Sequence, residues 1–238
     1  MNKLEFNNRL IEKANSIGVE ISKVQAEKFY RYMELLLEWN EKINLTAITE
    51  PEDIILKHFI DSLTIVTYLK EANTVLDIGT GAGFPGIPLK ILMENKQFIL
   101  LDSLNKRIIF LQTIINELKL KSIQAIHGRA EEFVDKGRET YDIVTSRAVA
   151  KLNVILEYML PFAKIGGRCI CMKSFDIEEE LKEAKKAIEV LGGEIEKIDE
   201  ITLPNTDIKR KILVIKKIKN TPSKYPRKAG TPAKEPIV

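Results

Sequence analysis

The stretch Thr74-Val75-Leu76-Asp77-Ile78-Gly79-Thr80-Gly81-Ala82-Gly83-Phe84-Pro85-Gly86 decides the fold. It opens as a short apolar run, passes through glycines at 79, 81, 83 and 86, and leads into a helical pattern. A strand that ends in a glycine turn and starts a helix is the ligand corner of an open α/β sheet, where small molecules sit at the carboxyl ends of the strands. Glycine permits the sharp turn and the close approach of ligand to backbone. Asp102 ends the next strand-like run, 19 residues beyond Gly83 (102 − 83). A carboxylate there can accept hydrogen bonds from both ribose hydroxyls.

Outward from this corner, two periodicities alternate. Strand-like runs cover 74–78, 98–102, 123–127, 142–146, 168–173, 194–202 and 212–218. Helix-like runs cover 86–94, 104–120, 130–135, 149–163 and 177–191. Such alternation predicts a mostly parallel sheet covered on both faces. The last two strands are joined by only 203–209, too short for a parallel crossover, so they should pair antiparallel. The fold class is therefore α/β, a Rossmann-like sheet of seven strands with a C-terminal hairpin. Upstream, 1–72 reads as a small helical region: a stripe from Leu4 to Ile17, a long helix capped by Ser22, and a third running from Pro51 toward Leu69. The organisation expected is 1–72 helical, 73–218 ligand-binding, and 219–238 a basic tail.

Composition narrows the function. The 238 residues are 45% hydrophobic and 30% charged, enough for a packed core. Two cysteines exclude a disulfide scaffold and a four-cysteine zinc site. Cys169 and Cys171 should share one face of a buried strand, as core residues. No apolar run reaches the ~18–20 residues of a membrane span, and the N-terminus lacks a signal-peptide core, so a cytoplasmic protein is expected. From 209 to 238 there are ten Lys/Arg and one acid, or +9; with +3 overall, the other 208 residues carry −6. A basic end on an acidic body points to phosphate, with a solvated lysine-rich tail as the plainer reading.

Two ligand classes use the glycine corner, dinucleotides and S-adenosylmethionine. An acid at 77 sits badly beside a pyrophosphate and suits a cationic ligand, so Asp77 and Asp102 together favour S-adenosylmethionine. An NAD-dependent oxidoreductase, a methyltransferase of another RNA, protein or small molecule, and a non-catalytic ribosome-binding module remain open.

The chain also resembles the small-subunit rRNA guanine-N7 methyltransferases, the glucose-inhibited division protein B family. The resemblance is carried by Asn44-Leu-Thr46, His58-Phe-Ile-Asp61-Ser-Leu63, the loop from Asp77 to Pro88, and Asp102-Ser-Leu-Asn-Lys-Arg107. It continues in Gly128-Arg-Ala130-Glu131-Glu132, Tyr141-Asp142, Ser146-Arg147-Ala148 and Tyr225-Pro-Arg227-Lys-Ala-Gly230-Thr-Pro232. It implies a class I methyltransferase of the bacterial cytoplasm, using S-adenosylmethionine to methylate N7 of a guanine in 16S rRNA (guanine-527 by that likeness). It further implies cofactor contacts from Gly79, Phe84, Ala130, Glu131 and Arg147. Asp77, Gly81 and Asp102 join them from the loop reading, and Arg147, at a strand end facing the cleft, is the candidate catalytic residue. Asn44, Arg227 and Lys228 are the candidate substrate contacts, with Lys209–Lys211 behind them. The expected partner is 16S rRNA or the small ribosomal subunit, with no membrane and no metal, and a monomer is expected. His58 and Asp61, three apart on a helix, read as a structural hydrogen bond or pocket edge rather than a metal site.

Overall fold

The structure, a computed structural model, describes residues 1–147 and 150–238. The motif residue Ala148 and the start of the helix expected at 149 lie outside the described residues. Helix α1 (Lys3–Ser16) starts where Asn2 Oδ1 accepts the Glu5 amide at 2.9 Å, and it buries Phe6, Leu10 and Ala14 at four-residue spacing. Helix α2 (Lys23–Asn40) carries a capping box between Ser22 and Gln25. The single helix expected from Pro51 toward Leu69 is instead composite. A turn α3 (Pro51–Asp53) widens into a π-helix over Ile54–Ile60, followed by α4 (Asp61–Leu63) and a 3-10 turn, Val66–Leu69. The π segment buries Ile54, Ile55, Leu56, His58, Phe59 and Ile60, so it is enclosed nearly all round rather than along one stripe.

The sheet comprises β1 (Thr74–Ile78), β2 (Gln97–Asp102), β3 (Ile123–His127), β4 (Tyr141–Arg147), β5 (Ala163–Ser174), β6 (Gly193–Thr202) and β7 (Lys209–Lys217). Their order is β3-β2-β1-β4-β5-β7-β6, with β7 antiparallel to both β5 and β6 and the remaining pairs parallel. The helices are α5 (Gly86–Leu92), α6 (Asn105–Glu117), α7 (Ala130–Gly137), α8 (Leu152–Met159), α9 (Glu178–Val190) and a short α10 (Thr231–Lys234). Strand β5 starts earlier than the pattern indicated, because a register shift beside Tyr141 admits extra residues. Gly167 makes this fit: a Cβ there would lie 2.8 Å from the Asp142 carbonyl oxygen and 2.9 Å from that of Lys164.

Strand alternation sorts side chains into two cores. Val75, Phe98, Leu100, Ile143, Ile170, Met172 and Ile212 face the N-terminal helices, α5 and α6. Leu76, Ile78, Leu101, Val144, Cys169, Cys171 and Leu213 face α7, α8 and α9, so the two cysteines share a buried face as expected. The same parity puts Asp77, Asp102, Arg147 and Arg210 on the face of the N-terminal helices. Residues 1–72 thus form the helical layer over that face and share its core.

The C-terminal segment packs on α8. Tyr225 and Pro232 are buried, and Arg138 Nη2 donates to the Tyr225 carbonyl at 2.6 Å. Arg227, expected to hold RNA, instead grips Glu157 through Nε at 2.9 Å and Nη2 at 2.7 Å, and Glu157 is fully buried. Its charge is matched by that carboxylate while a quarter of its side chain stays exposed; Lys228 beside it is exposed. Lys217 is also internal, donating to the Leu160 carbonyl at 2.7 Å and lying 3.2 Å from Glu139. The basic end is therefore less available to solvent than its composition implies.

Removing Arg227 strands a buried carboxylate, which typically costs about 3–5 kcal/mol. Arg227→Ala should lower the urea midpoint accordingly, and Arg227→Ala with Glu157→Leu should recover most of the loss. An unchanged midpoint in the single variant would show that the pair does not anchor the tail.

Candidate functional site

The glycine loop is built around two acids. Gly79 and Thr80 donate their amides to the Leu101 carbonyl at 2.9 and 3.2 Å, and the Gly81 amide donates to Asp102 Oδ2 at 2.9 Å. Gly79, Gly81 and Gly83 have φ of 67°, 61° and 100°, a region that L side chains avoid. At Gly83 a Cβ would also lie 2.7 Å from Ile87 and 2.8 Å from the Tyr32 hydroxyl, so α2, α5 and the loop close on hydrogen alone. Tyr32 donates that hydroxyl to the Ala82 carbonyl at 2.5 Å.

Asp77 lies beneath the turn. Its Oδ2 accepts from the Thr80 hydroxyl at 2.7 Å and the Gly86 amide at 2.9 Å, while its buried Oδ1 has no partner among the described residues. Burial raises this carboxyl to about 6, against the lowering effect of those two hydrogen bonds. Asp77 lines neither cavity beside the loop. Its place is the floor of the turn, where it shapes the loop and contributes negative field.

Two cavities flank the loop and share Gly79, Asp102 and Ser103. The first is a slot walled by Ile78, Leu101, Ala130, Ile155 and Tyr158, with Glu131 at its edge. The second, about 420 Å³, runs along Gly79–Ala82 past Phe84 to His58 and Arg147. In it a Cβ on Gly81 would meet nothing nearer than the Gly79 carbonyl oxygen at 4.0 Å, so the missing side chain leaves room over the loop. A third cavity shares His58 and Arg147 with the second and continues to Lys57, Met172, Ser174 and Arg210. The donor set fits an adenosyl sulfonium: a flat apolar slot, an acid at its junction with the loop, and carboxylates rather than cations beneath the glycines. The acid is Asp102, whose Oδ1 accepts the Leu104 amide at 2.9 Å and whose Oδ2 also faces Arg107 at 3.3 Å.

Arg147 is the hub between the second and third cavities. Its Nη1 donates to Asp61 Oδ2 at 2.9 Å and the Lys57 carbonyl at 3.1 Å, and its Nη2 donates to His58 Nδ1 at 3.1 Å. Its guanidinium carbon lies 4.9 Å over the Phe84 ring, and the His58 ring stacks on Phe84 at 4.3 Å and 10°. Asp61 Oδ1 accepts Arg210 Nε at 3.1 Å, so one carboxylate joins two guanidiniums. Because Arg147 can only donate, His58 Nδ1 must accept, and His58 Nε2–H donates to the Thr46 hydroxyl at 2.8 Å. Burial, reinforced by the Arg147 charge, lowers His58 to about 3, which matches a neutral ring. His58 and Asp61 thus form a pocket edge.

Gly79, Gly81, Phe84, Asp102, Ala130, Glu131 and Arg147 all line these cavities. Asn44 is exposed and lines none of the three; the turn there is held by Asn40, whose Oδ1 accepts the Leu45 and Thr46 amides at 2.8 and 3.0 Å. Arg227 and Lys228 belong to the α8 face described above. Tyr158, Arg107 and Arg210 line these cavities too, beyond the individual site residues that the sequence indicates. Arg107 lies five residues past Asp102, a spacing that carried the signal; Tyr158 sits inside an ordinary apolar stripe and carried none.

Residues 25–212 match the family model described as GidB, rRNA small subunit methyltransferase G. The chain is 52% identical over 238 residues to the ribosomal RNA small subunit methyltransferase G of Alkaliphilus oremlandii, covering 98% of this chain and 100% of that protein. It is 53% identical to the protein of the same name from Acetivibrio thermocellus, covering 99% and 98%. Among solved structures it is similar to magnesium protoporphyrin IX methyltransferase from Synechocystis, with SAM bound (TM-score 0.57, 14% identity, 78% of this chain and 97% of that one). It is also similar to TYW2 of M. jannaschii in complex with AdoMet (TM-score 0.53, 16% identity, 66% and 61%). The two structural likenesses speak to the fold.

Because the folded state holds His58 below its unfolded value of 6.5, the unfolded chain takes up this proton first. The stability this group contributes is full above pH 6.5 and falls as pH drops toward 3. In an NMR titration the His58 ring signals should stay flat from pH 5 to 8; a midpoint near 6.5 would refute the assigned tautomer and pairing.

Proposed function

The chain belongs to the GidB family of rRNA small subunit methyltransferases, and from that premise we propose that it transfers the methyl group of S-adenosylmethionine to N7 of a guanine in 16S rRNA. The observation that carries this reading is Arg147, held at the junction between the cavity over the glycine loop and the cavity that ends at Arg210. The cofactor supplies, when bound, an electrophilic methyl on a sulfonium.

The slot between Leu101 and Tyr158 holds the adenine, with the Ala130 amide and the Glu131 carboxylate at its edge. Asp102 takes the ribose. Its two oxygens offer about four acceptor sites, of which three are in use, and the Arg107 contact is the longest of them. The glycine loop receives the methionine end, with Asp77 below it favouring positive charge. Guanine N7 has a free lone pair at neutral pH, so no group on the protein has to remove a proton. The neutral, doubly hydrogen-bonded His58 is consistent with a positioning role. Catalysis rests on alignment of nucleophile, methyl and leaving sulfur. Of the five N–H groups of Arg147, three are engaged and two have no partner among the described residues. Those two can orient groups from either cavity. Charge passing onto the purine is tolerated because Asp61 offsets one of the two charges of Arg147 and Arg210, and the carboxylates of Asp77 and Asp102 stand by the loop.

We place the enzyme in the cytoplasm, acting as a monomer on the small ribosomal subunit. The support is the nature of the substrate, and the fact that one chain lines all three cavities.

S-adenosylmethionine should raise the melting temperature, whereas NAD at the same concentration should not; the reverse would favour an oxidoreductase. With labelled cofactor, the methyl should appear at N7 of one guanine in small subunits. Arg147→Ala should weaken cofactor affinity and lower turnover by about 10²-fold. Arg147→Lys should not rescue it, because an ammonium cannot reproduce the planar fork. Undiminished transfer by Arg147→Ala would remove that residue from the mechanism.

A further inference from the structure

We propose that Phe175 is a base-stacking subsite, receiving a nucleobase that flanks the target guanine, with Lys209 holding the adjoining phosphate. This rests on the reading of the substrate as RNA and adds the path the strand takes away from the target base. The cavity beyond Arg147 ends at Lys173, Ser174 and Arg210, the last residues of β5 and the first of β7, where Ser174 pairs with Arg210. Phe175 follows Ser174 directly, so it stands one residue beyond that cavity's lining and at the same end of the sheet as the glycine loop.

Phe175 is 40% exposed, the one aromatic ring among the exposed large hydrophobic side chains of the described residues. Two ammoniums from one face of β7 lie over its ring, Lys209 Nζ at 5.1 Å and Lys211 Nζ at 5.0 Å from the centroid. Lys211 is nearly buried and is paired with Glu178 and Glu200, so it supports the ring and its charge is internal. Lys209 is exposed and has no carboxylate partner among the described residues. An exposed aromatic face beside an unneutralised lysine is the combination that binds single-stranded nucleic acid: any base stacks on the ring, and the cation takes the backbone. Arg227 is ion-paired with Glu157 on α8, whereas this corner lies at the carboxyl end of β5, the end of the sheet that carries the cleft.

The test uses the full-length protein and small ribosomal subunits from cells lacking the enzyme, measuring subunit affinity by filter retention alongside methyl transfer. Phe175→Ala and Phe175→Leu should each weaken subunit affinity roughly tenfold, and Phe175→Trp should retain it. Affinity for S-adenosylmethionine and the melting temperature should not change. Lys209→Gln should reduce the slope of log affinity against log salt by about one. Affinity in Phe175→Leu equal to that of the unaltered protein would overturn the stacking role, because leucine keeps the apolar bulk and loses only the ring. If the unaltered protein binds subunits without methylating them, the proposed reaction fails; the affinity series still decides the subsite.

Discussion

One carboxylate between two guanidiniums organises this molecule. Asp61, almost fully buried, accepts from Arg147 at the end of β4 and from Arg210 at the start of β7. It thereby ties the N-terminal helical layer to the carboxyl ends of the parallel strands and to the antiparallel hairpin at once. A buried charge is tolerated only when paired and hydrogen-bonded, and here the pairing fixes the walls of the cleft. The π-helical segment before Asp61 presents His58 and the Lys57 carbonyl to the same guanidinium. Arg147 thus reaches the cleft already oriented, and its orientation does not depend on a ligand.

The second constraint is the acid under the glycine turn. Asp77 was attractive in sequence because a carboxylate suits a cationic ligand. In the fold it forms the floor of the loop, holding Thr80 and the first amide of α5. Gly86 is required for a local reason, since a Cβ there would lie 2.3 Å from Leu100 and 2.8 Å from Asp77 Oδ2. Spacing alone separates nothing: Gly81, Gly83 and Gly86 also satisfy the dinucleotide pattern. What distinguishes the site is the company of the loop, with two carboxylates at the glycines and an arginine beyond them.

The basic C-terminal end shows the limit of counting charge. Ten cations in thirty residues read as a phosphate-binding tail. Lys217 is internal, Arg227 is matched by Glu157, and Lys211 by Glu178 and Glu200. The exposed remainder is scattered: Lys209, Lys219, Lys224, Lys228 and Lys234. Whether a cation meets solvent or a buried acid is a matter of packing, and composition averages over both.

The sequence by itself determined the strand–helix alternation, the antiparallel finish, the glycine corner, the acid at 102 and the position of Arg147 at a strand end. Those features depend on local periodicity and on backbone geometry that few residues can adopt, so they are written within short windows. Only the tertiary structure decided that Asp61, Arg147 and Arg210 meet, that Asp77 lies under the loop, that the helix after Pro51 widens, and that Arg227 turns inward. Asp61 is 86 residues from Arg147 and 149 from Arg210 along the chain. No local pattern encodes such pairings; they arise because strand parity places those side chains on one face, and because a buried charge must find its partner there.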